Sequence, residues 1–143
     1  MNSWTGVTLT ETREIAALLM EKGVDIISVS GGVAESRPRR DEAMKQGRFL
    51  ELAKGIKEVV QIPVIAVGKI MSLEQAERVL EEGRADLVAI CRALIADPEL
   101  ITKTLENRVE EIRKCIECGE CVATLMKDDM RMRCSVNKEW GRF

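Results

Sequence analysis

Three short runs rich in β-branched and apolar residues, VDIISVS (24–30), VIAV (64–67) and ADLVAI (85–90), alternate with stretches of helical periodicity. Strands separated by helices of this length form βαβ units, so the chain is predicted to be α/β with a parallel sheet and right-handed crossovers. Strand spacing alone leaves an open sheet and a closed (β/α)8 barrel both available.

Element boundaries follow from capping chemistry. In TLTETREIAALLMEKG, Thr8 with Glu11 three residues on forms a capping box; Ile15, Ala16, Leu18 and Leu19 make an apolar face, and Gly23 supplies the stop. The run Val24–Val29 is predicted to be a strand buried on both faces. A second amphipathic helix is expected over Asp41–Val60, with Phe49, Leu52, Ala53, Ile56 and Val59 on its inner face. Pro63 opens a strand over Val64–Val67, which Gly68 ends. Ser72 with Gln75 caps a third helix, stopped at Gly83. After the third strand, CRALIADPEL predicts a short helical turn and then a new helix with Asp97 as N-cap and Pro98 in its first turn.

The C-terminal segment CIECGECVATLMKDDMRMRC holds four of the five cysteines, Cys115, Cys118, Cys121 and Cys134, in the pattern C-x2-C-x2-C-x12-C. Three thiolates from one tight turn and a fourth returning from a distance suit the diverging corners of a cubane iron–sulfur cluster, and Gly119 eases the turn. The alternative is a structural zinc site, although four-cysteine zinc sites more often use two separated C-x2-C knuckles. Cys91, at the end of the third strand, reads as a small core residue. Apolar periodicity gives way to this Cys-, Met- and Lys/Arg-rich tail after about residue 108, so residues 1–108 and 109–143 are expected to be separate modules. Met126, Met130 and Met132 are read as filling gaps beside the cluster, and Lys114, Arg131 and Arg133 either add charge near it or are solvated.

Composition narrows the chemistry. With 45% hydrophobic and 32% charged residues the chain is globular, and a formal net charge of -2 with 3% aromatics gives no basis for nucleic-acid or anionic-membrane binding. No leader pattern or spanning apolar stretch stands out, which places the expected location in the cytoplasm, where thiols stay reduced and available to a metal. His and Tyr both number 0, so imidazole and phenol chemistry are absent from this chain. Ligands of parallel α/β folds bind at the carboxyl ends of the strands. There Gly68 lets a backbone approach an anion, the N–H groups of Lys69 and Arg92 are candidate donors to phosphate oxygens, a short helix starting near Arg92 points its positive end at the same place, and their side chains are candidates to add charge. The competing reading is an ordinary turn at Gly68 and a solvated helix-start residue at Arg92.

In this order, GVDIISVSGG, IPVIAVGKI, AERVLEEGRADLVAICRALIADPEL and EIRKCIECGEC…RCSVN resemble the C-terminal half of the FMN-dependent Old Yellow Enzyme family of NADH:flavin oxidoreductases. The similarity is to its iron–sulfur branch, which includes 2,4-dienoyl-CoA reductase and trimethylamine dehydrogenase, and it runs from about Val7 to Asn137. The resemblance implies a partial TIM (β/α)8 barrel whose three strands are the sixth to eighth, followed by a Cys-rich iron–sulfur loop. It implies FMN phosphate contacts from Gly68, Lys69, Cys91 and Arg92, and a 4Fe-4S cluster held by Cys115, Cys118, Cys121 and Cys134 that passes single electrons to or from the flavin. The family pattern has Gly at the position of Cys91 and Asn at that of Gly119.

The same resemblance implies an oxidoreductase acting on a small-molecule substrate, with NAD(P)H and FAD entering only through domains outside this chain. A whole barrel takes about 250 residues. The chain alone is therefore expected to be incomplete and inactive, and to need an N-terminal barrel half or an oligomeric partner to cover its strand edges. The alternative is a non-catalytic zinc-binding or assembly module derived from a barrel half.

Overall fold

The computed structural model describes residues 6–31, 47, 49–125 and 131–140. Helix α1 (Leu9–Glu21) begins at the expected capping box: Thr8 Oγ1 accepts from the Glu11 N–H, and the Glu11 carboxylate accepts from the Thr8 N–H at 2.7 Å. It ends in a Schellman motif, with Gly23 at φ 87, its N–H bonded to Met20 O and the Val24 N–H to Leu19 O. That closure uses the Val24 N–H, so strand β1 is Ile27–Val29, shorter than expected.

Helix α2 (Leu50–Lys57) follows; the expected helical stretch before Gly47 lies outside the described residues. Strand β2 (Val64–Ala66), helix α3 (Leu73–Glu81) and strand β3 (Leu87–Val88) complete the alternation. Ser72 Oγ accepts from the Gln75 N–H, and α3 closes on Gly83 with a second Schellman motif, Gly83 N–H to Leu80 O and Arg84 N–H to Val79 O.

The sheet is parallel, in the order β1-β2-β3, with Ile27 opposite Val64, Ile65 opposite Leu87 and Ala66 opposite Val88. Asp86 fixes the entry to β3. Its carboxylate accepts from the Val64 N–H at 3.0 Å and pairs with Lys57, so one exposed aspartate joins α2, β2 and β3. The Lys57 hydrogen bond and then the Val64 N–H hold its carboxyl below the ordinary aspartate range.

By contact density the chain falls into two compact units, Met1–Ile70 with Ala76–Ala89, and Met71–Gln75 with Ile90–Phe143; the sequence-based division at residue 108 lies inside the second. In the first, α2 packs on β1, β2 and α1, and burial centres on Ala53, Ile56, Val64 and Ala66. One expectation fails here. β1 alternates in burial, with Ser28 exposed, instead of being covered on both faces. On α1 only Ala16 is buried, and Ile15, Leu18 and Leu19 remain 42–56% exposed, because α1 meets α2 along another line.

That line passes through Gly55, where a Cβ would stand 3.0 Å from Leu9 Cδ2. The helix-interior glycine, normally a cost of about 1 kcal/mol against alanine, is explained by this close approach. Gly55→Val is expected to destabilise the chain by about 1–3 kcal/mol through overpacking. Urea unfolding should show a lower midpoint at unchanged slope; an unchanged midpoint would mean that Leu9 yields freely.

Candidate functional site

The second unit is built around a buried ion pair that sequence reading took for a simple cap. Helix α4 (Arg92–Ala96) ends at Asp97, which has an extended backbone (φ -140) and is 0% exposed. Helix α5 (Leu100–Leu105) starts later than expected, with Glu99 at its N-cap position. Asp97 still does part of a cap's work, because its Oδ1 accepts from the Glu99 N–H at 3.1 Å. Its Oδ2 is drawn elsewhere: it accepts from Lys103 Nζ at 2.7 Å and from the Arg113 N–H at 2.9 Å. Burial pushes the Asp97 carboxyl up, but the Lys103 bond and the two backbone N–H bonds outweigh it and hold the group below its ordinary range. The Lys103 ammonium also donates to Glu111 O at 3.2 Å.

From Arg113 the chain enters the cysteine segment. Glu117 (φ 54) and Gly119 (φ 76) flank Cys118 with left-handed backbones, which fold the segment back on itself before helix α6 (Glu120–Leu125). Cys115 and Cys118 lie in this irregular stretch and Cys121 in the first turn of α6. Buried Thr124 secures the return, donating to Glu120 O and accepting from the Arg133 N–H at 2.8 Å.

The result is a single small cavity lined by Cys115, Cys118, Cys121 and Cys134, together with Arg92 and the apolar side chain of Ile95. Its space is about 20 Å³, room for one or two waters. Among the described residues no three Cys, Asp or Glu side chains converge closely enough to hold a single ion. The four thiols line one cavity, and soft thiolates suit either zinc or an iron–sulfur group.

The thiols differ in environment. A 3.1 Å hydrogen bond joins Cys118 Sγ to Ser135 Oγ; that bond first, and then the Glu120 N–H, lower the Cys118 pKa. Burial pushes the Cys121 thiol up, opposed in part by the Val122 N–H and the Arg92 charge and reinforced by Cys115. The Asn137 N–H donates to Cys134 Sγ at 3.4 Å.

The structure thus brings the four cysteines named from spacing onto one cavity and adds Arg92 to its wall. Cys91 is exposed and is not among the lining residues, which corrects its reading as a core residue; as the residue before α4 it occupies a chain position open to solvent. Gly68 and Lys69 lie in the other unit, at the carboxyl end of β2, with φ 123 and φ 55, so the strand ends in a sharp reversal that favours glycine at the first position. Asp97, Lys103, Arg113, Ser135 and Asn137 were not recognised from sequence. The sequence signal was present only as Asp-Pro and as the Asn three residues after the last cysteine. Met126 and Met130 lie outside the described residues.

Comparison with known proteins agrees with this architecture. The sequence profile of the NADH:flavin oxidoreductase / NADH oxidase family matches residues 2–111. The chain is 48% identical over 140 residues to an NADH oxidase of Thermoanaerobacter brockii, covering 96% of this chain and 22% of that protein. It is 38% identical over 136 residues to a metal reductase of Desulforamulus reducens, covering 94% and 20%. Among solved structures, 2-naphthoyl-CoA reductase in complex with 2-naphthoyl-CoA superposes with a TM-score of 0.84 at 32% identity, covering 95% of this chain and 21% of that one. The chain spans about a fifth of the length of the curated relatives it matches. With the profile covering most of the chain and the fold shared, this protein belongs to the NADH:flavin oxidoreductase / NADH oxidase family, the family that its motifs resemble.

Proposed function

We propose that this chain is the cluster-holding and phosphate-holding part of an FMN- and 4Fe-4S-dependent oxidoreductase. The observation that carries the reading is the convergence of Cys115, Cys118, Cys121 and Cys134 on one cavity, in a member of a flavin-dependent family. When bound, FMN exchanges hydride with NAD(P)H or a small-molecule substrate, and the cluster relays the electrons singly.

The chain's own residues supply anchoring and electrostatics. The four thiolates hold the cluster, while Ile95 limits water on one side and the N–H groups of Asn137, Val122 and Glu120 direct partial positive charge at three of the sulfurs. Such N–H to sulfur bonds raise a cluster's reduction potential by favouring its more negative state. Arg92 adds a full positive charge at the cavity wall. Gly68, Lys69, Cys91 and Arg92 are assigned to the FMN phosphate by family resemblance, with the positive φ of Gly68 in support.

A partial barrel is the architecture in which these assignments make sense. The strands run in chain order with no reversal, and β1 and β3 are the outer strands of the described sheet, as they would be in a segment of a larger closed sheet. An N-terminal barrel half, covalently joined or as a partner, would pair with the β1 edge and cover Ile15, Leu18 and Leu19 of α1. The flavin ring contacts, the acid groups and any NAD(P)H or FAD site belong to that half or to further domains, so substrate turnover by this chain alone is not expected. No described helix is long and apolar enough to cross a membrane. A reducing compartment such as the cytoplasm would keep the thiols available.

The test is optical. Incubated with ferric iron, sulfide and a thiol that supplies the two reducing electrons, without oxygen, the chain is expected to develop a broad visible absorption that dithionite bleaches. A colourless protein that takes up zinc in preference would replace this reading with a structural zinc clip.

A further inference from the structure

We infer that Asn137, acting with Asp97 and Arg113, is the positioning residue that holds Cys134 in place as the fourth ligand. The inference rests on the iron–sulfur reading above and concerns how the site is closed. In C-x2-C-x2-C-x12-C the first three thiols are placed by one short turn. The fourth must be brought back across a 12-residue interval, and nothing in the spacing itself says what fixes it.

Asn137 is 3% exposed, and all of its polar groups are engaged. Its N–H donates to Cys134 Sγ at 3.4 Å and its Nδ2 to Ile95 O at 3.0 Å. Its Oδ1 accepts from Arg113 Nη1 at 3.2 Å and from the Glu139 N–H at 3.3 Å, and its carbonyl accepts from the Trp140 N–H at 3.3 Å. A buried amide that uses both its donor and its acceptor leaves the side chain only one orientation.

The two ends of the cysteine segment are thereby referred to one rigid joint. Arg113 stands two residues before Cys115, and its N–H is fixed by Asp97, itself locked by Lys103. Asn137 stands three residues after Cys134 and is fixed by Ile95 O. Ile95 and Asp97 are two residues apart at the end of α4, and the Arg113 guanidinium spans the remaining gap to Asn137. The α4–α5 joint therefore sets the separation between the first ligand and the last. Outer partners that orient a metal ligand are worth about 10–100-fold in affinity.

The experiment loads the 143-residue chain with iron and sulfide without oxygen and then adds ferricyanide. Ferricyanide takes one electron from the cluster and becomes ferrocyanide. The oxidised core can then release one ferrous ion from its most weakly held corner, leaving a three-iron core with its own EPR signal and two units less positive charge. In Asn137→Ala the release of a single iron is expected to be about 10–100-fold faster than in the wild type, with the three-iron signal rising in step and far-UV circular dichroism unchanged. Arg113→Met, which keeps the backbone N–H to Asp97 and removes the partly exposed guanidinium with its bond to Asn137 and its 3.9 Å approach to Asp97, is expected to shift the rate in the same direction by a smaller factor.

If both variants release iron at the wild-type rate, or lose the whole cluster in one step as their helicity falls, the positioning role is overturned. If Asn137→Ala does not fold, Arg113→Met decides: faster single-iron release supports the role, and the wild-type rate overturns it. A wild-type chain that takes up no iron overturns the iron–sulfur reading itself, before any variant is compared.

Discussion

Cys121→Ala is expected to reduce bound iron from about four atoms per chain to almost none, whereas Cys91→Ala is expected to keep all of it. Cys121 sits in the first turn of α6, which fixes its thiol on the cavity wall beside Arg92. Removing one thiolate from the compact turn leaves a corner without a protein ligand, and no His is present in the chain to substitute. The effect should therefore exceed the roughly 10–100-fold cost of losing an outer partner. Cys91 is exposed and outside the cavity, so its loss is the internal control. Iron and sulfide analysis of the two variants checks the pair. Equal iron loss from both would mean that the cavity does not define the ligand set.

Asp97→Ala is expected to destabilise the second unit by about 3–5 kcal/mol, the range for removing one partner of a buried ion pair. Lys103 is 7% exposed and would keep only the exposed Glu99 carboxylate at 3.8 Å and the Glu111 carbonyl, and the Arg113 and Glu99 N–H groups would lose their acceptor. Asp97→Leu combined with Lys103→Met removes both charges and should recover much of the loss, since apolar replacement of a whole buried pair is often nearly neutral.

The pair also sets a pH dependence. Because the folded Asp97 carboxyl is held below its ordinary value, the stability it contributes is fully present above the unfolded value. It is lost as pH falls through the depressed folded value. The wild-type chain should lose stability more steeply in that acid range than the double variant does, as measured by urea unfolding across pH. Parallel pH curves for the two would remove the ion pair from the account.

Local signals carried much of this fold. Thr8-x-x-Glu11, Ser72-x-x-Gln75, Gly23 and Gly83 act where capping chemistry puts them, because these motifs are decided by backbone groups within a few residues. Strand extents were less legible. The Val24 N–H is claimed by the α1 closure, and a β-branched run cannot reveal which of its N–H groups a neighbouring cap has taken.

The exposed face of α1 shows the other limit. An apolar stripe declares that it is built to be covered and says nothing of what covers it. At the site, the cysteine spacing identified the thiols, since three of them fall within seven residues. Arg92 joins them in the structure by a fold-level approach over more than 20 residues of sequence. The Asp97–Lys103–Arg113–Asn137 network was hidden for the same reason. Each member is an ordinary polar residue until tertiary contact buries it, and Asp97-Pro98 reads as a helix start whether or not its second oxygen is engaged elsewhere.

The central claim is that the four cysteines hold an iron–sulfur cluster. It is tested most directly by iron, acid-labile sulfide and zinc content of the chain purified without oxygen. The account predicts about four irons and four sulfides per chain with negligible zinc; about one zinc per chain with neither iron nor sulfide would contradict it.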